Sequence, residues 1–235
     1  MESHAPAKRQ IGRVVVTGGA SGLGAAVASA VVDAGGEAVV LDVRPHESDG
    51  IESHRVDVSD DAAVSEVIGR IGAQGGIDAV VTAAGIDRCG RLEDVSVEEW
   101  TRVIGVNLLG TVSAVRAALP FLRESRGRIV TVASTLALKG VSDATAYCAS
   151  KFGVLGFTQA LAAELAGEVG VTQLIPGGMN TRFFDDRTEQ YRPADDSRLN
   201  DPANVARAVC FALEQPEGSE VRELFIAHPL EGSWP

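Results

Sequence analysis

Cysteine, aromatic residues and basic charge are all scarce in this sequence. Its three cysteines, Cys89, Cys148 and Cys210, are spread over 235 residues. None belongs to a CxxC pair of the kind that indicates a zinc site or a redox motif. We therefore expect reduced thiols, no metal centre and a cytoplasmic location.

The shortage of positive charge also restricts the partners. There are 21 lysines and arginines against 32 acidic residues, for a net charge of −11. Nucleic acids and anionic membranes bind basic surfaces, so we expect neither as a partner. No uncharged apolar run reaches the roughly 20 residues that span a bilayer, and residues 1–10 are expected to form a polar tail without the apolar core of a signal peptide.

Short β-branched runs alternate with longer alanine-rich segments along the chain. Strands are predicted at residues 14–16, 38–41, 79–81, 128–132, 171–175 and 223–226, with another near 54–58. Helical periodicity covers residues 22–34, 60–73, 96–124, 144–167 and 201–214. Ser59, Ser96 and Asp201 have the character of helix starts. This order predicts an α/β fold with a Rossmann-like, doubly wound parallel sheet of six or seven strands, helices on both faces, and a single domain over residues 1–235.

The connection between the second and third strands is short. Only residues 43–53 lie between Asp42 and the strand expected near His54, and they include Pro45 and Gly50. A crossover between parallel strands usually needs about a dozen residues. We therefore expect a turn or a stub of helix there instead of a full helix.

A glycine-rich turn follows the first strand. Its glycines at 18, 22 and 24 match TGxxxGxG, and Asp42 stands at the end of the second strand. Without Cβ atoms the backbone can approach a pyrophosphate, which the amides at a helix N-terminus bind, while the acidic residue binds the adenosine ribose. The pattern predicts a dinucleotide site that takes NAD, because Asp42 would repel the 2′-phosphate of NADP. Arg44 is the nearby cation that could pair with that phosphate instead.

Four polar side chains suggest a catalytic centre. Tyr147 and Lys151 are four residues apart in a predicted helix, so they share a face. A neighbouring ammonium favours the phenolate and lowers the tyrosine pKa, which suits a general acid/base. Ser134 follows the fifth strand at the sheet edge where such folds bind ligands, and Asn107 lies on the preceding long helix. Taken singly, Ser134 and Asn107 would suit a cap or a packing role better than a catalytic one.

In the order and spacing of these motifs the sequence resembles the short-chain dehydrogenase/reductase family, in its branch of single-domain enzymes of about 250 residues. The resemblance implies that Tyr147 is the acid/base, that Lys151 binds the nicotinamide ribose, that Ser134 orients the substrate oxygen and that Asn107 holds a relay water. It also implies an adenine contact at Asp57-Val58 and a PGxxxT turn ending in Thr181. The cofactor contacts expected in all are Gly18, Ser21, Gly22, Leu23, Gly24, Asp42, Val43, Asp57, Val58, Ala83, Ala84, Gly85, Tyr147, Lys151, Pro176, Gly177 and Thr181.

The function implied by the resemblance is an NAD-dependent oxidoreductase that acts on CH–OH groups. Its substrate would be a small secondary alcohol or the matching ketone, and the protein would be a homodimer or homotetramer. A 3-oxoacyl thioester reductase of the same fold and a catalytically silent NAD-binding sensor remain as alternatives. The substrate is expected to meet loops at residues 135–145 and 178–199, with residues 180–199 as a lid. Apolar side chains in those loops suggest a pocket lined by Leu136, Leu138, Val141, Met179, Phe183 and Phe184. An equally good interpretation is that Phe183 and Phe184 only pack a short helix.

Three features depart from the family pattern. The segment Thr82-Ala83-Ala84-Gly85 lacks both asparagines of the usual NNAG motif. The connection after Asp42 is short, as noted above. Residues 228–235 stand where the family usually has a glycine-rich tail. This difference affects the expectation of a family-type oligomer interface.

Overall fold

The computed structural model describes residues 8–46, 50–193 and 195–232. Its seven strands are β1 (Arg13–Thr17), β2 (Glu37–Asp42), β3 (Glu52–Arg55), β4 (Ala79–Thr82), β5 (Arg128–Val132), β6 (Gly170–Pro176) and β7 (Glu223–Ile226). Its α-helices are α1 (Gly22–Asp33), α2 (Asp61–Gly75), α3 (Val97–Ile104), α4 (Gly110–Ser125), α5 (Thr145–Glu164) and α6 (Pro202–Leu213).

All seven strands form one parallel sheet in the order β3-β2-β1-β4-β5-β6-β7. The chain builds outward from β1 to β3 in one direction and from β4 to β7 in the other. The winding therefore reverses between β1 and β4, and in such folds the crevice at the carboxyl ends of the strands binds ligands. This architecture confirms the predicted doubly wound α/β fold.

Helices cover both faces of the sheet. On one face, α2, α4 and α5 contribute Ile68, Leu122 and Leu161 to a buried cluster. On the other, α1 and α6 contribute Val31 and Val209. The central strands are apolar on both sides because both faces are covered, which explains their continuous valine and isoleucine runs.

The third strand differs from its prediction. It spans Glu52–Arg55, whereas a strand near residues 54–58 was expected. The strand is at the edge of the sheet and pairs only with β2, so it needs no apolar alternation. Val56 and Val58 leave the ladder and are buried in the core. In the connection before β3, residues 43–46 and 50–51 contain no helix, as predicted, and residues 47–49 lie outside the described part of the chain.

Two of the three predicted helix starts are confirmed. Ser96 and Glu99 form a capping box at α3, and the Asp201 side chain accepts a hydrogen bond from the amide of Ala203 at α6. The prediction of Ser59 for α2 is wrong. Asp60 is the cap and accepts from the amide of Ala63, while Ser59 binds Asp57.

The long helix predicted over residues 96–124 is interrupted. A π-helical turn, Gly105–Leu109, separates α3 from α4. At the junction, a Cβ on Gly110 would lie 2.7 Å from Cγ2 of Val58, so only glycine lets the helix approach the loop after β3 so closely. Single π turns of this kind recur at functional sites, and this one carries Asn107.

The run Val97–Ser125 also has the length and apolar composition of a membrane-spanning helix. Core helices of sheet proteins pass the same test, and 44% of its most apolar window is buried inside the fold. The run packs against both α2 and α5. The apolar composition of this run is therefore explained by its packing in the hydrophobic core.

Candidate active site

A cleft of about 1290 Å³ opens at the carboxyl ends of the strands. Most of the residues predicted to bind cofactor or to take part in catalysis line it. These are Gly18, Ser21, Gly22, Leu23, Asp42, Val43, Asp57, Val58, Ala83, Ala84, Gly85, Ser134, Tyr147, Lys151, Pro176, Gly177 and Thr181. Gly24 and Asn107 do not line the cleft and support it from behind.

The glycine-rich turn lets neighbouring backbone segments approach each other closely. Gly18 has a φ of +70°, and a Cβ there would lie 2.6 Å from the Ala84 backbone. A Cβ on Gly24 would lie 2.2 Å from the carbonyl oxygen of Gly18. No side chain caps the amides at the start of α1, whereas α2, α3 and α6 each begin with a side-chain cap. A tight turn that opens onto uncapped helix amides suits the pyrophosphate of a dinucleotide.

A carboxylate and a cation flank the outer end of this turn. Asp42 is 8% exposed, and its two oxygens accept hydrogen bonds from the amides of Ala20 at 3.1 Å and Arg44 at 3.0 Å. The guanidinium of Arg44 donates to the Ser21 hydroxyl at 3.0 Å. Both charges therefore lie where the adenosine ribose of a bound dinucleotide would be expected.

Tyr147 lies in the first turn of α5, and the Ser134 side chain is close enough to affect its pKa. Desolvation raises the pKa of Tyr147 to about 12, and the interaction with Ser134 opposes the rise. Ser134 follows β5 and caps a short 3₁₀ turn by accepting from the amide of Leu136. Both side chains thus line the cleft at the sheet edge, as predicted.

Lys151 lies beside Tyr147 but does not lower the pKa of the tyrosine. Its ammonium is 5.7 Å from the Tyr147 ring centroid and donates to the carbonyl oxygen of Val132 at 2.8 Å. Burial lowers the pKa of Lys151 itself to about 8. The expected lowering of the Tyr147 pKa is therefore wrong for this structure, because desolvation of the phenolate outweighs any attraction from the ammonium.

Asn107 acts behind the cleft. Its side chain accepts from the amide of Ile86 at 2.8 Å and donates to the Ile86 carbonyl oxygen and to the Ser150 hydroxyl, both at 2.9 Å. Both amide hydrogens of Asn107 are thus in use. These bonds join the loop after β4 to α5, and they support that loop where the two family asparagines are missing. The relay water on Asn107 stays a prediction.

The nicotinamide side of the cleft is closed by the turn after β6. A Cβ on Gly22 would lie 3.5 Å from Thr181, so the two turns meet across the cleft. Of the six apolar residues predicted to form a pocket, four line the cleft: Leu136, Met179, Phe183 and Phe184. The other two, Leu138 and Val141, are exposed and lie outside its lining.

The sequence analysis missed three functional candidates. Asp87, in the loop after β4, forms an ion pair with Arg187 of the predicted lid, with 2.6 Å between Oδ2 and Nη2. Glu231, near the C-terminus, accepts from the amide of Gly178 at 2.7 Å. The position of Asp87 just after a central strand was the one available signal.

Comparisons with known proteins agree with the geometry. The family model for short chain dehydrogenase matches residues 12–192. An uncharacterised oxidoreductase of Staphylococcus aureus strain MW2 is 36% identical over 226 residues, which cover 90% of this chain and 95% of that protein. The 2,5-dichloro-2,5-cyclohexadiene-1,4-diol dehydrogenase of Sphingobium indicum is 30% identical over 97% of this chain and 98% of its own length.

Solved structures show the same similarity. The ligand-free aldohexose dehydrogenase of Thermoplasma acidophilum superposes with a TM-score of 0.84 at 28% identity, over 92% of each chain. An alcohol dehydrogenase from Thermococcus sibiricus, in complex with 5-hydroxy-NADP, has a TM-score of 0.83 at 26% identity, over 93% of this chain and 97% of the other.

Proposed function

Because this chain belongs to the short-chain dehydrogenase family, we propose that it transfers hydride between NAD(H) and a secondary alcohol or its ketone. The chain is an oxidoreductase of that family. The observation that carries the finer proposal is the placement of Tyr147 and Ser134, which line one cleft with the glycine turn and Lys151.

The proposed chemistry divides between cofactor and protein. A bound nicotinamide supplies the hydride acceptor for alcohol oxidation and the hydride donor for ketone reduction. Tyr147 takes the hydroxyl proton as the C–H bond breaks, or returns a proton to the carbonyl oxygen in the reverse direction. Ser134 orients the same oxygen by a hydrogen bond, and Lys151 would hold the ribose.

Because the pKa of Tyr147 is raised, the rates of ketone reduction and of alcohol oxidation should depend on pH in different ways. With a pKa of about 12 the side chain is a phenol at neutral pH. A phenol can donate the proton that ketone reduction consumes. Alcohol oxidation needs the phenolate, so its rate should rise with pH over the alkaline range.

Asp42 supports NAD as the cofactor. Its carboxylate is nearly buried at the outer end of the glycine turn, where ribose hydroxyls could donate to it. The related Thermococcus enzyme was solved with an NADP derivative, so the fold also accommodates that cofactor. Arg44 is the residue of this chain that would favour NADP.

A substrate panel tests the proposal. The protein is mixed with NAD⁺ or NADP⁺ and with cyclohexanol, a cyclic diol, an aldohexose or a 3-hydroxyacyl thioester, and reduced nicotinamide is followed by absorbance. Turnover of an alcohol supports the proposal. Turnover confined to the thioester favours the acyl reductase. NAD⁺ binding by calorimetry without turnover of any substrate favours a sensor.

Self-association is also part of the proposal. The helices α4 and α5 belong to the region expected to pair in this family, and exposed apolar side chains lie beside or on them, including Leu109 and Phe152. Closed symmetric assemblies are common among soluble enzymes. Light scattering at micromolar concentration should give the mass of a dimer or tetramer, and a monomer mass would contradict it.

A further inference from the structure

An ion pair lies at the substrate end of the cleft. The Asp87 and Arg187 side chains are 3% and 19% exposed, and Nη2 of Arg187 is 2.6 Å from Oδ2 of Asp87. The carboxylate also accepts from the amide of Arg88 at 2.7 Å and from the Cys89 thiol at 3.2 Å. These bonds fix the position of the carboxylate.

The pair is connected to the tyrosine through one aromatic ring. Cζ of Arg187 lies 5.3 Å from the ring centroid of Phe183 and 4.6 Å from that of Phe184. The Phe183 ring lies 5.7 Å from the Tyr147 ring. Asp87, Arg187 and Tyr147 all line the same cleft. The negative charge of Asp87 and the positive charge of Arg187 therefore both act on the Tyr147 hydroxyl from the same wall of the cleft.

The other groups around Tyr147 act differently. Ser134 lowers the pKa of Tyr147, and Cys148, the next residue of α5, raises it. The Lys151 ammonium donates a hydrogen bond to the Val132 carbonyl oxygen. Cys89, held by Asp87, has its pKa raised to about 12 by burial and stays a neutral thiol. Asp143 acts on Cys89 and Tyr191.

We propose that Asp87 and Arg187 are positioning residues whose opposed charges shift the proton affinity of Tyr147 in opposite directions. The Asp87 carboxylate raises the pKa of Tyr147 and the Arg187 guanidinium lowers it. Asp87 belongs to the fixed loop after β4, whereas Arg187 belongs to the segment 180–199. The inference rests on the proposed function in assigning the proton transfer to Tyr147.

The test uses single and double variants with opposite expected signs. The pH dependence of kcat/KM for alcohol oxidation is measured for wild type, Asp87→Asn, Arg187→Met and the double variant. We expect the alkaline pKa to fall by about half a unit or more in Asp87→Asn and to rise by a similar amount in Arg187→Met. The double variant should return towards wild type.

A merely structural role would give another pattern. If the pair only fastens the segment, both single variants lose the same contact, and their pKa values move together or not at all. That result would overturn the proposal. The exposed pair Arg123 and Glu168 lies outside the lining of the cleft, with 2.9 Å between the charged atoms. The matched control variants Glu168→Gln and Arg123→Met should leave the alkaline pKa unchanged.

A second readout does not depend on activity. The chain has two tyrosines, Tyr147 and Tyr191, so Tyr191→Phe leaves Tyr147 as the one source of phenolate absorbance. At a fixed alkaline pH at which circular dichroism shows a folded protein, Asp87→Asn should contain more phenolate than this parent and Arg187→Met less. If these shifts appear but wild type oxidises no alcohol, the proposed function fails and the electrostatic inference stands. If wild type is active and the shifts are absent, the inference alone is overturned.

Discussion

At the scale of single residues, we expect Asp42 and Arg44 to decide which cofactor binds. The carboxylate would meet a 2′-phosphate of like charge, with a repulsion of up to roughly 4 kcal/mol at about 4 Å, of which solvent screening could leave half. Half of that energy still exceeds a tenfold difference in affinity. We expect kcat/KM to favour NAD over NADP in wild type, and Asp42→Ala to narrow the ratio by about tenfold or more.

Matched variants separate the charge of Asp42 from its structural bonds. Asp42→Asn keeps one acceptor for the amide of Ala20 or Arg44, so it should lose NAD preference without losing the turn. Arg44→Met should lower kcat/KM with NADP and change the value with NAD little. A wild-type preference for NADP would contradict the account and would show that Arg44 governs the site.

Local motifs were the most predictable part of the site. The glycine turn and the Tyr147–Lys151 spacing depend on neighbours within a few residues, and both occupy the cleft as expected. The ion pair of Asp87 with Arg187 joins residues that are 100 positions apart, and the bond of Gly178 to Glu231 spans 53 positions. Periodicity and motif spacing carry no information about such pairs. The direction of the Tyr147 pKa was also missed, because the sequence does not show how far the hydroxyl is desolvated.

At the scale of elements, the C-terminal segment supports the turn after β6. Oε2 of Glu231 accepts from the amide of Gly178, and a Cβ on Gly177 would lie 2.3 Å from the same oxygen. We expect Glu231→Ala to raise KM for NAD roughly tenfold, because a charge-assisted hydrogen bond is lost, with a smaller effect on kcat. Steady-state kinetics at saturating alcohol measure both.

Two further variants test the role of Glu231. Glu231→Gln retains an acceptor for the Gly178 amide and should keep KM for NAD closer to wild type than Glu231→Ala does. Glu223→Ala changes an exposed glutamate of β7 and serves as the control. Equal KM values in Glu231→Ala and Glu223→Ala would mean that the C-terminal segment does not hold the turn.

Strands and helices were predictable where burial imposes a pattern. The central strands were located because both of their faces are covered, and the long helices because one stripe is buried. The edge strand β3 has the polar sequence Glu-Ser-His-Arg, which carries no strand signal. The π turn at Gly105–Leu109 was missed because one inserted residue leaves the helical periodicity on either side intact.

At the scale of the whole molecule, the buried Lys151 lowers stability. Its pKa is about 8 in the folded protein against 10.5 for an ordinary lysine, so charging it costs about 3 kcal/mol. Between those two pH values the unfolded chain binds more protons than the folded chain, so the unfolding free energy rises with pH. Below pH 8 the cost is complete, and above pH 10.5 it is absent.

Lys151→Met should therefore gain stability over wild type in a pH-dependent way. We expect the difference in unfolding free energy, measured by denaturant titration, to be largest at pH 7 and to shrink by about 3 kcal/mol towards pH 10.5. Lys139→Met removes an exposed lysine and should show no such trend. A difference that stays constant across this range would mean that burial does not depress the pKa of Lys151.

The central claim is that Tyr147 moves the proton in a hydride transfer, and Tyr147→Phe tests it most directly. The best alcohol from the substrate panel is oxidised with saturating NAD⁺ by wild type and by the variant, and NAD⁺ binding to both is measured by calorimetry. The account predicts a loss of about 10² to 10⁴-fold in kcat, typical of a general acid/base, with NAD⁺ affinity nearly unchanged because the ring still packs against Phe183. Near-full turnover by Tyr147→Phe would contradict the account.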